Sequence, residues 1–192
     1  MDSIIMNKPQ KLEKIEKKCA ETGFNMPSDL YVGSLLKTLI ASKPKSNLLE
    51  LGTGIGLSLA WMVEGMDQQS KLTTIDNDSS LIDIAKNYFG QDERVNIICD
   101  DGGKWLENYE GEKFDLIFAD AWPGKYSHLN EALEILKIGG LYIIDDMTQQ
   151  PNWPEDHQKT VDQLIDNLDN RPNLSITKMN WSTGLIIAVK TS

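Results

Sequence analysis

From residue 47 onward, short apolar runs of strand length alternate with stretches whose apolar positions recur at helical spacing. The strand-like runs are Asn47–Leu51, Lys71–Asp76, Val95–Cys99, Phe114–Ala119 and Gly140–Asp145. Between and after them the spacing predicts helices over Leu57–Met66, Ser79–Phe89, Gly103–Tyr109, Ser127–Leu136 and Glu155–Leu168, with Ser79 or Ser80 capping the second. Strand and helix in steady alternation imply parallel pairing with helices on both faces, an α/β fold. The end differs: Leu174–Met179 and Gly184–Val189 are separated only by residues 180–183, which predicts an antiparallel hairpin at one edge of the sheet. Before the core, residues 8–21 and 30–42 read as two amphipathic helices. The expectation is one domain over 1–192, with 1–45 as a helical cap and 46–192 as the core.

Charge narrows the partners. With 29 acidic and 19 basic side chains the net charge is -10, which disfavours DNA, RNA or an anionic membrane surface. Lys11, Lys14, Lys17 and Lys18 cluster, but Glu13 and Glu16 interleave with them, as on the wet face of a helix. Cys19 and Cys99 are too few for a disulfide framework, and Cys99, in an apolar run, reads as a small buried hydrophobe. Met1-Asp2-Ser3 opens no export signal and no apolar run approaches a membrane span, so a cytoplasmic location is expected.

The most informative segment is Glu50-Leu51-Gly52-Thr53-Gly54-Ile55-Gly56, which closes a strand and opens a helix. Leu57 stands where a dinucleotide fingerprint needs its last glycine. Glu50 would repel a diphosphate at this helix start and attract an ammonium. The loop therefore suits a phosphate-free ligand carrying an amino-acid tail, such as S-adenosylmethionine. Asp76 ends the next strand, where a carboxylate can accept both hydroxyls of a ribose. Asp100-Asp101-Gly102 follow the third strand, where a carboxylate can accept from an adenine amino group or simply cap the next helix.

These residues resemble the class I S-adenosylmethionine-dependent methyltransferases, and within them the catechol O-methyltransferase-like O-methyltransferases. The resemblance runs from about Met26 to the C-terminal hairpin and implies a Rossmann-like, mostly parallel seven-stranded sheet with a reversed last strand. It implies cofactor contacts from Glu50, Gly52, Thr53, Gly54 and Gly56, with Ser58 on the methionine carboxylate, Asp76 and Asn77 at the ribose, and Asp101 and Gly102 at the adenine. Met26 and Ser28 match a segment that covers the cofactor, Trp122 a residue that flanks the adenine, and Asp120 adjoins them. The narrower match is Phe118-Ala119-Asp120-Ala121-Trp122-Pro123-Gly124-Lys125-Tyr126 and Leu136-Lys137-Ile138-Gly139-Gly140 with Ile144-Asp145-Asp146. In metal-dependent members the positions of Asp120, Asp145 and Asp146 hold magnesium.

Methyl transfer to oxygen is an in-line displacement, in which a protein aligns the acceptor and removes its proton. A divalent cation, magnesium or manganese, on Asp120, Asp145 and Asp146 would bind the hydroxyl and lower its pKa. Two departures bear on this. Pro123 replaces the family's catalytic lysine, with Lys125 two residues later, and Asp146 replaces Asn. A metal-free small-molecule N- or O-methyltransferase, with Asp120 or His157 as base, stands beside the metal-assisted one. His157 lies in the proline-rich stretch Gln149–His157, where it and Trp153 would shape an acceptor pocket or only begin a solvated helix. A nucleic-acid methyltransferase is disfavoured, because Asp120-Ala121-Trp122-Pro123 lacks the Asp/Asn-Pro-Pro-aromatic pattern. A non-catalytic S-adenosylmethionine-binding protein and an NAD-dependent oxidoreductase are the remaining alternatives. The expected partner is a small-molecule acceptor, with no nucleic acid and no membrane; a homodimer is left open.

Overall fold

The computed structural model describes residues 7–150 and 153–192. The N-terminal tripeptide read for export, and Pro151 and Asn152 of the proline-rich stretch, lie outside them. Two helices come first, α1 (Leu12–Thr22) and α2 (Leu30–Ala41). The alternating unit follows as β1 (Asn47–Leu51), α3 (Leu57–Gly65), β2 (Lys71–Asp76), α4 (Ser79–Phe89), β3 (Val95–Cys99) and α5 (Gly102–Glu107). It continues with β4 (Phe114–Ala119), α6 (Leu129–Glu134), β5 (Leu136–Ile144) and α7 (His157–Asp169), and ends in β6 (Leu174–Met179) and β7 (Leu185–Lys190).

The seven strands form one sheet in the order β3-β2-β1-β4-β5-β7-β6. The first five are parallel, and β7 pairs antiparallel with both β5 and β6, so the expected hairpin closes one edge. Chain order reverses between β1 and β4, and ligands in such sheets bind at the strand tips beside that switch point.

Alternate residues of the central strands feed two cores. Leu48, Leu116 and Phe118 pack towards α1, α2 and α3, while Leu49, Leu51, Ile117 and Ala119 pack towards α5, α6 and α7. Trp61 of α3 is 2% exposed and fits against α2 only because residue 33 has no side chain, since a Cβ there would stand 2.3 Å from the indole Cδ1. The Gly33→Ala variant should therefore lose about 1–3 kcal/mol by overpacking. A denaturant midpoint unchanged from wild type would mean that α2 and α3 pack less tightly than described.

Local chemistry moved several boundaries. Asp78, rather than either serine after it, caps α4, accepting from the N–H groups of Ser80 and Leu81. β5 starts at Leu136, earlier than the glycine pair suggested, with a register irregularity opposite Phe114/Leu116. Cys99 is exposed, contrary to its apolar neighbourhood in sequence, because it ends an edge strand with no neighbour beyond it. Among the described residues, no helix is long and apolar enough to cross a membrane.

Candidate active site

The turn after β1 is shaped by its glycines and pinned by two acids. At Gly52 a Cβ would lie 2.8 Å from the carbonyl oxygen of Asp120, so only glycine permits β1 and β4 to approach at their tips. Gly54 has φ +51°, and its N–H donates to Asp76 Oδ2 at 2.9 Å. Asp76 Oδ1 accepts the N–H of Asp78 at 3.0 Å. The ring of Phe24 lies above Gly54, within 3.2 Å of where a Cβ would be. The segment holding Met26 and Ser28 thus starts beside the turn; Met26 is exposed and Ser28 half-buried.

Glu50 is fully buried behind the turn. Ser58 donates to its Oε1 at 2.6 Å, Thr74 donates to its Oε2, and Thr53 Oγ1 lies 2.6 Å from Thr74 Oγ1. Burial pushes the Glu50 carboxyl up to about 7, against the pull of the two hydroxyls and with a smaller push from the charge of Asp76. Ser58, expected on a ligand carboxylate, is 2% exposed and committed to Glu50; it supports the acid from behind. Thr53 is buried in the same network, whereas Asn77 is exposed beside Asp76.

At the β3 tip, Asp101 caps α5 by accepting the Lys104 N–H at 2.9 Å, so the plainer of its two readings is realised. The Lys104 N–H, with a smaller contribution from that of Gly103, holds its carboxyl below the usual range. It remains exposed. Gly102 packs under Pro123, which a Cβ would meet at 3.3 Å, and this brings the β3 tip against the segment after β4.

Asp120, Asp145 and Asp146 sit at the neighbouring tips of β4 and β5. Burial, then the charge of Asp145, raises the Asp120 carboxyl well above its ordinary range, with Lys125 opposing. Asp145 is raised to about 6 by burial and by Asp146, and Asp146 is raised by burial against the pull of Lys125 and His157. Asp145 Oδ1 already accepts the Asp146 N–H at 2.7 Å and the hydroxyl of Thr183. Among the described residues, no three His, Cys, Asp or Glu side chains are arranged to hold a metal ion. As they stand the three carboxyls of the expected magnesium triad do not converge on a metal-sized site, and Oδ1 of Asp145 is engaged by two protein donors.

An aromatic wall borders this cluster. Trp122 is 55% exposed, and its ring centre lies 4.8 Å from that of Tyr126. The Tyr126 hydroxyl is 3.2 Å from His157 Nε2, and Trp153 packs edge-on against His157 with centres 4.4 Å apart. Burial, then the charges of Asp146 and Asp120, pushes the Tyr126 hydroxyl up to about 12. His157 is the first residue of α7 and is half-buried against Tyr126 and Trp153.

Two participants escaped the sequence reading, and a third was noted without its burial. Phe24 was one unmarked aromatic residue in a loop. Thr183 reaches Asp145 from the β6–β7 turn, 38 residues away. Lys125 carried a signal in its proximity to Asp120, yet its burial comes from the fold: it is 5% exposed in a turn closed by Gly124 N–H donating to Ser127 O at 2.7 Å and by the Tyr142 hydroxyl on Gly124 O.

The chain matches the family model described as O-methyltransferase over residues 3–191. A Mycolicibacterium vanbaalenii protein assigned to the O-methyltransferases is 32% identical over 118 residues, covering 59% of this chain and 52% of that protein. An Arabidopsis thaliana protein assigned as a caffeoyl-CoA O-methyltransferase is 29% identical over 119 residues, covering 59% of this chain and 51% of its own length. The chain thus spans about half the length of the curated relatives it matches. In fold it is similar to an O-methyltransferase from Bacillus cereus solved with S-adenosylhomocysteine, with TM-score 0.83, 22% identity and coverage of 98% and 94% of the two chains. It is likewise similar to the O-methyltransferase TomG from Streptomyces achromogenes solved with S-adenosylmethionine, with TM-score 0.85, 21% identity and coverage of 99% and 93%. A family match over nearly the whole length, on a sheet whose acid-bearing strand tips surround the glycine turn, leads to one assignment: the chain belongs to the O-methyltransferase family.

Proposed function

We propose that this chain, acting as one domain with residues 1–45 as its helical cap, is an S-adenosylmethionine-dependent methyltransferase that methylates a hydroxyl of a small molecule. One observation carries the reading. Acids stand at the tips of three successive strands, Glu50, Asp76 and Asp101, around a glycine turn that contains no basic residue. That set of acceptors suits an ammonium, a pair of ribose hydroxyls and an adenine amino group, and it opposes a diphosphate. The Bacillus cereus and Streptomyces proteins, solved with S-adenosylhomocysteine and S-adenosylmethionine, support the same ligand.

When bound, the cofactor supplies an electrophilic methyl group on a sulfonium sulfur. The residues of the chain then have two tasks. Glu50, Asp76, Asn77, Asp101 and the glycines Gly52, Gly54, Gly56 and Gly102 hold the cofactor, with Met26, Ser28 and Trp122 at its margins. Asp120 would take the proton of the acceptor hydroxyl whose oxygen receives that methyl group. His157 has its Nε2 engaged by Tyr126, so it orients the acceptor together with Trp122 and Trp153.

Calorimetry should give saturable binding of S-adenosylhomocysteine and none of NADH. With S-adenosylmethionine and a panel of phenols, alcohols and amines, mass spectrometry should find a product heavier by one methylene, on oxygen. NADH binding, or methylation confined to amines, would replace this reading.

A further inference from the structure

We propose that Ser182, with Trp181 beside it, is a positioning residue for the cofactor site: it fastens residues 24–29 as a strap across the glycine turn, and so sets how fast cofactor enters and product leaves. The inference rests on the methyltransferase reading of that turn.

The strap is held at its two ends. At the first, the Phe24 N–H donates to Cys19 O at 3.1 Å and the Phe24 ring lies over Gly54. Among the described residues, Asn25, Met26, Pro27 and Ser28 then make no hydrogen bond. At the second end Asp29 caps α2, its Oδ1 accepting the Tyr31 N–H at 2.7 Å. The same oxygen accepts the hydroxyl of Ser182, 153 residues further along the chain. Trp181 packs against Tyr31 with ring centres 5.7 Å apart.

The β6–β7 turn that carries Ser182 is itself fixed. Thr183 O accepts the N–H of Thr148 at 3.1 Å and its hydroxyl at 2.8 Å, and Gly184 O accepts the Met147 N–H at 3.0 Å. The Thr183 hydroxyl is spent on Asp145. The turn is therefore the post and the strap the movable piece. Ser182 has φ +59°, a region that side-chain-bearing residues rarely adopt and glycine enters freely. What serine adds there is the hydroxyl, and the hydroxyl goes to Asp29.

This arrangement has a kinetic signature. Ligand passes only while the strap is open, and the Ser182–Asp29 contact favours the closed form whether or not ligand lies beneath. Weakening it raises association and dissociation together, whereas loss of a ligand contact raises dissociation alone.

Surface plasmon resonance with S-adenosylhomocysteine separates the two. Ser182→Gly should speed both rates about tenfold, the lower end for a hydrogen bond to a charged group, with Kd within about threefold of wild type. Its thermal midpoint should not fall, because glycine suits the backbone there. In an Asp29→Ala background the same substitution should change neither rate. Trp181→Leu, which leaves the backbone of the turn alone, should act in the same direction and serves if the glycine variant is unstable. Chymotrypsin cleavage after Phe24 in the unliganded protein, mapped by mass spectrometry, should be about tenfold faster in Ser182→Gly. Dissociation raised alone, rates equal to wild type, an effect that persists without Asp29, or unchanged cleavage would each overturn the proposal. Failure of the wild type to bind S-adenosylhomocysteine would instead overturn the methyltransferase reading, and the cleavage rates would still decide whether Ser182 fastens the strap.

Discussion

Asp76→Ala should weaken S-adenosylhomocysteine binding by at least about 100-fold while the fold survives. Each carboxylate oxygen of Asp76 accepts one backbone N–H, from Gly54 and from Asp78. A carboxylate oxygen has two acceptor sites, so one on each oxygen is left for a pair of ribose hydroxyls. Hydrogen bonds to a charged group contribute about 1.5–3 kcal/mol each, and losing two corresponds to about 100-fold or more in dissociation constant. The Gly54 N–H also loses its partner, which loosens the turn and adds to the loss. Asp76→Asn keeps one acceptor oxygen and should fall between, near tenfold. Calorimetry on the three proteins decides it. If Asp76→Ala binds within threefold of wild type, the ribose does not lie at the tip of β2.

The second large effect is on stability, through Glu50. Its carboxyl ionises at about 7 in the folded chain, against an ordinary value of 4.5, because burial disfavours the charged form. A raised folded pKa adds stability that is fully present below 4.5 and is lost as pH rises through 7. At about 1.4 kcal/mol per pH unit, the unliganded protein should give up about 3 kcal/mol across that window through Glu50. Asp145, raised to about 6, and Asp120 act in the same direction, so the measurement is a difference. Glu50→Gln should be close to wild type near pH 5 and more stable than wild type near pH 8. Chemical denaturation at the two pH values tests this; a constant difference would mean that Glu50 does not titrate in the window. Saturating S-adenosylhomocysteine should flatten the wild-type slope, because a bound ammonium compensates the carboxylate. A slope that the ligand leaves unchanged would put the ammonium away from Glu50.

These two residues were legible in the sequence for one reason. Glu50, next to last in β1, and Asp76, last in β2, stand beside turns, so their position at the sheet's carboxyl edge follows from local pattern and parallel pairing. The hairpin of β6 and β7 was legible in the same way, through the absence of a helix between two strand-like runs. Asp101 was ambiguous, because an acid after a strand can cap a helix or face a ligand, and the cap proved real. Ser58 faces Glu50 across the strand–helix turn, a contact that their separation in sequence hides. The Asp120, Asp145 and Asp146 positions were correctly gathered at adjacent strand ends, but their chemistry depends on neighbours from elsewhere in the chain.

The amino-acid order alone determined the alternation of elements, the parallel sheet with its reversed edge, the glycine turn and the acids beside it. All of these rest on periodicity and on contacts between residues near one another in the chain. Tertiary structure decided what surrounds those acids. It brings Thr183 onto Asp145, closes the turn that buries Lys125, and joins Trp122, Tyr126, Trp153 and His157 into one wall. Burial and charge compensation depend on distances across the folded molecule, and no local pattern of residues encodes them.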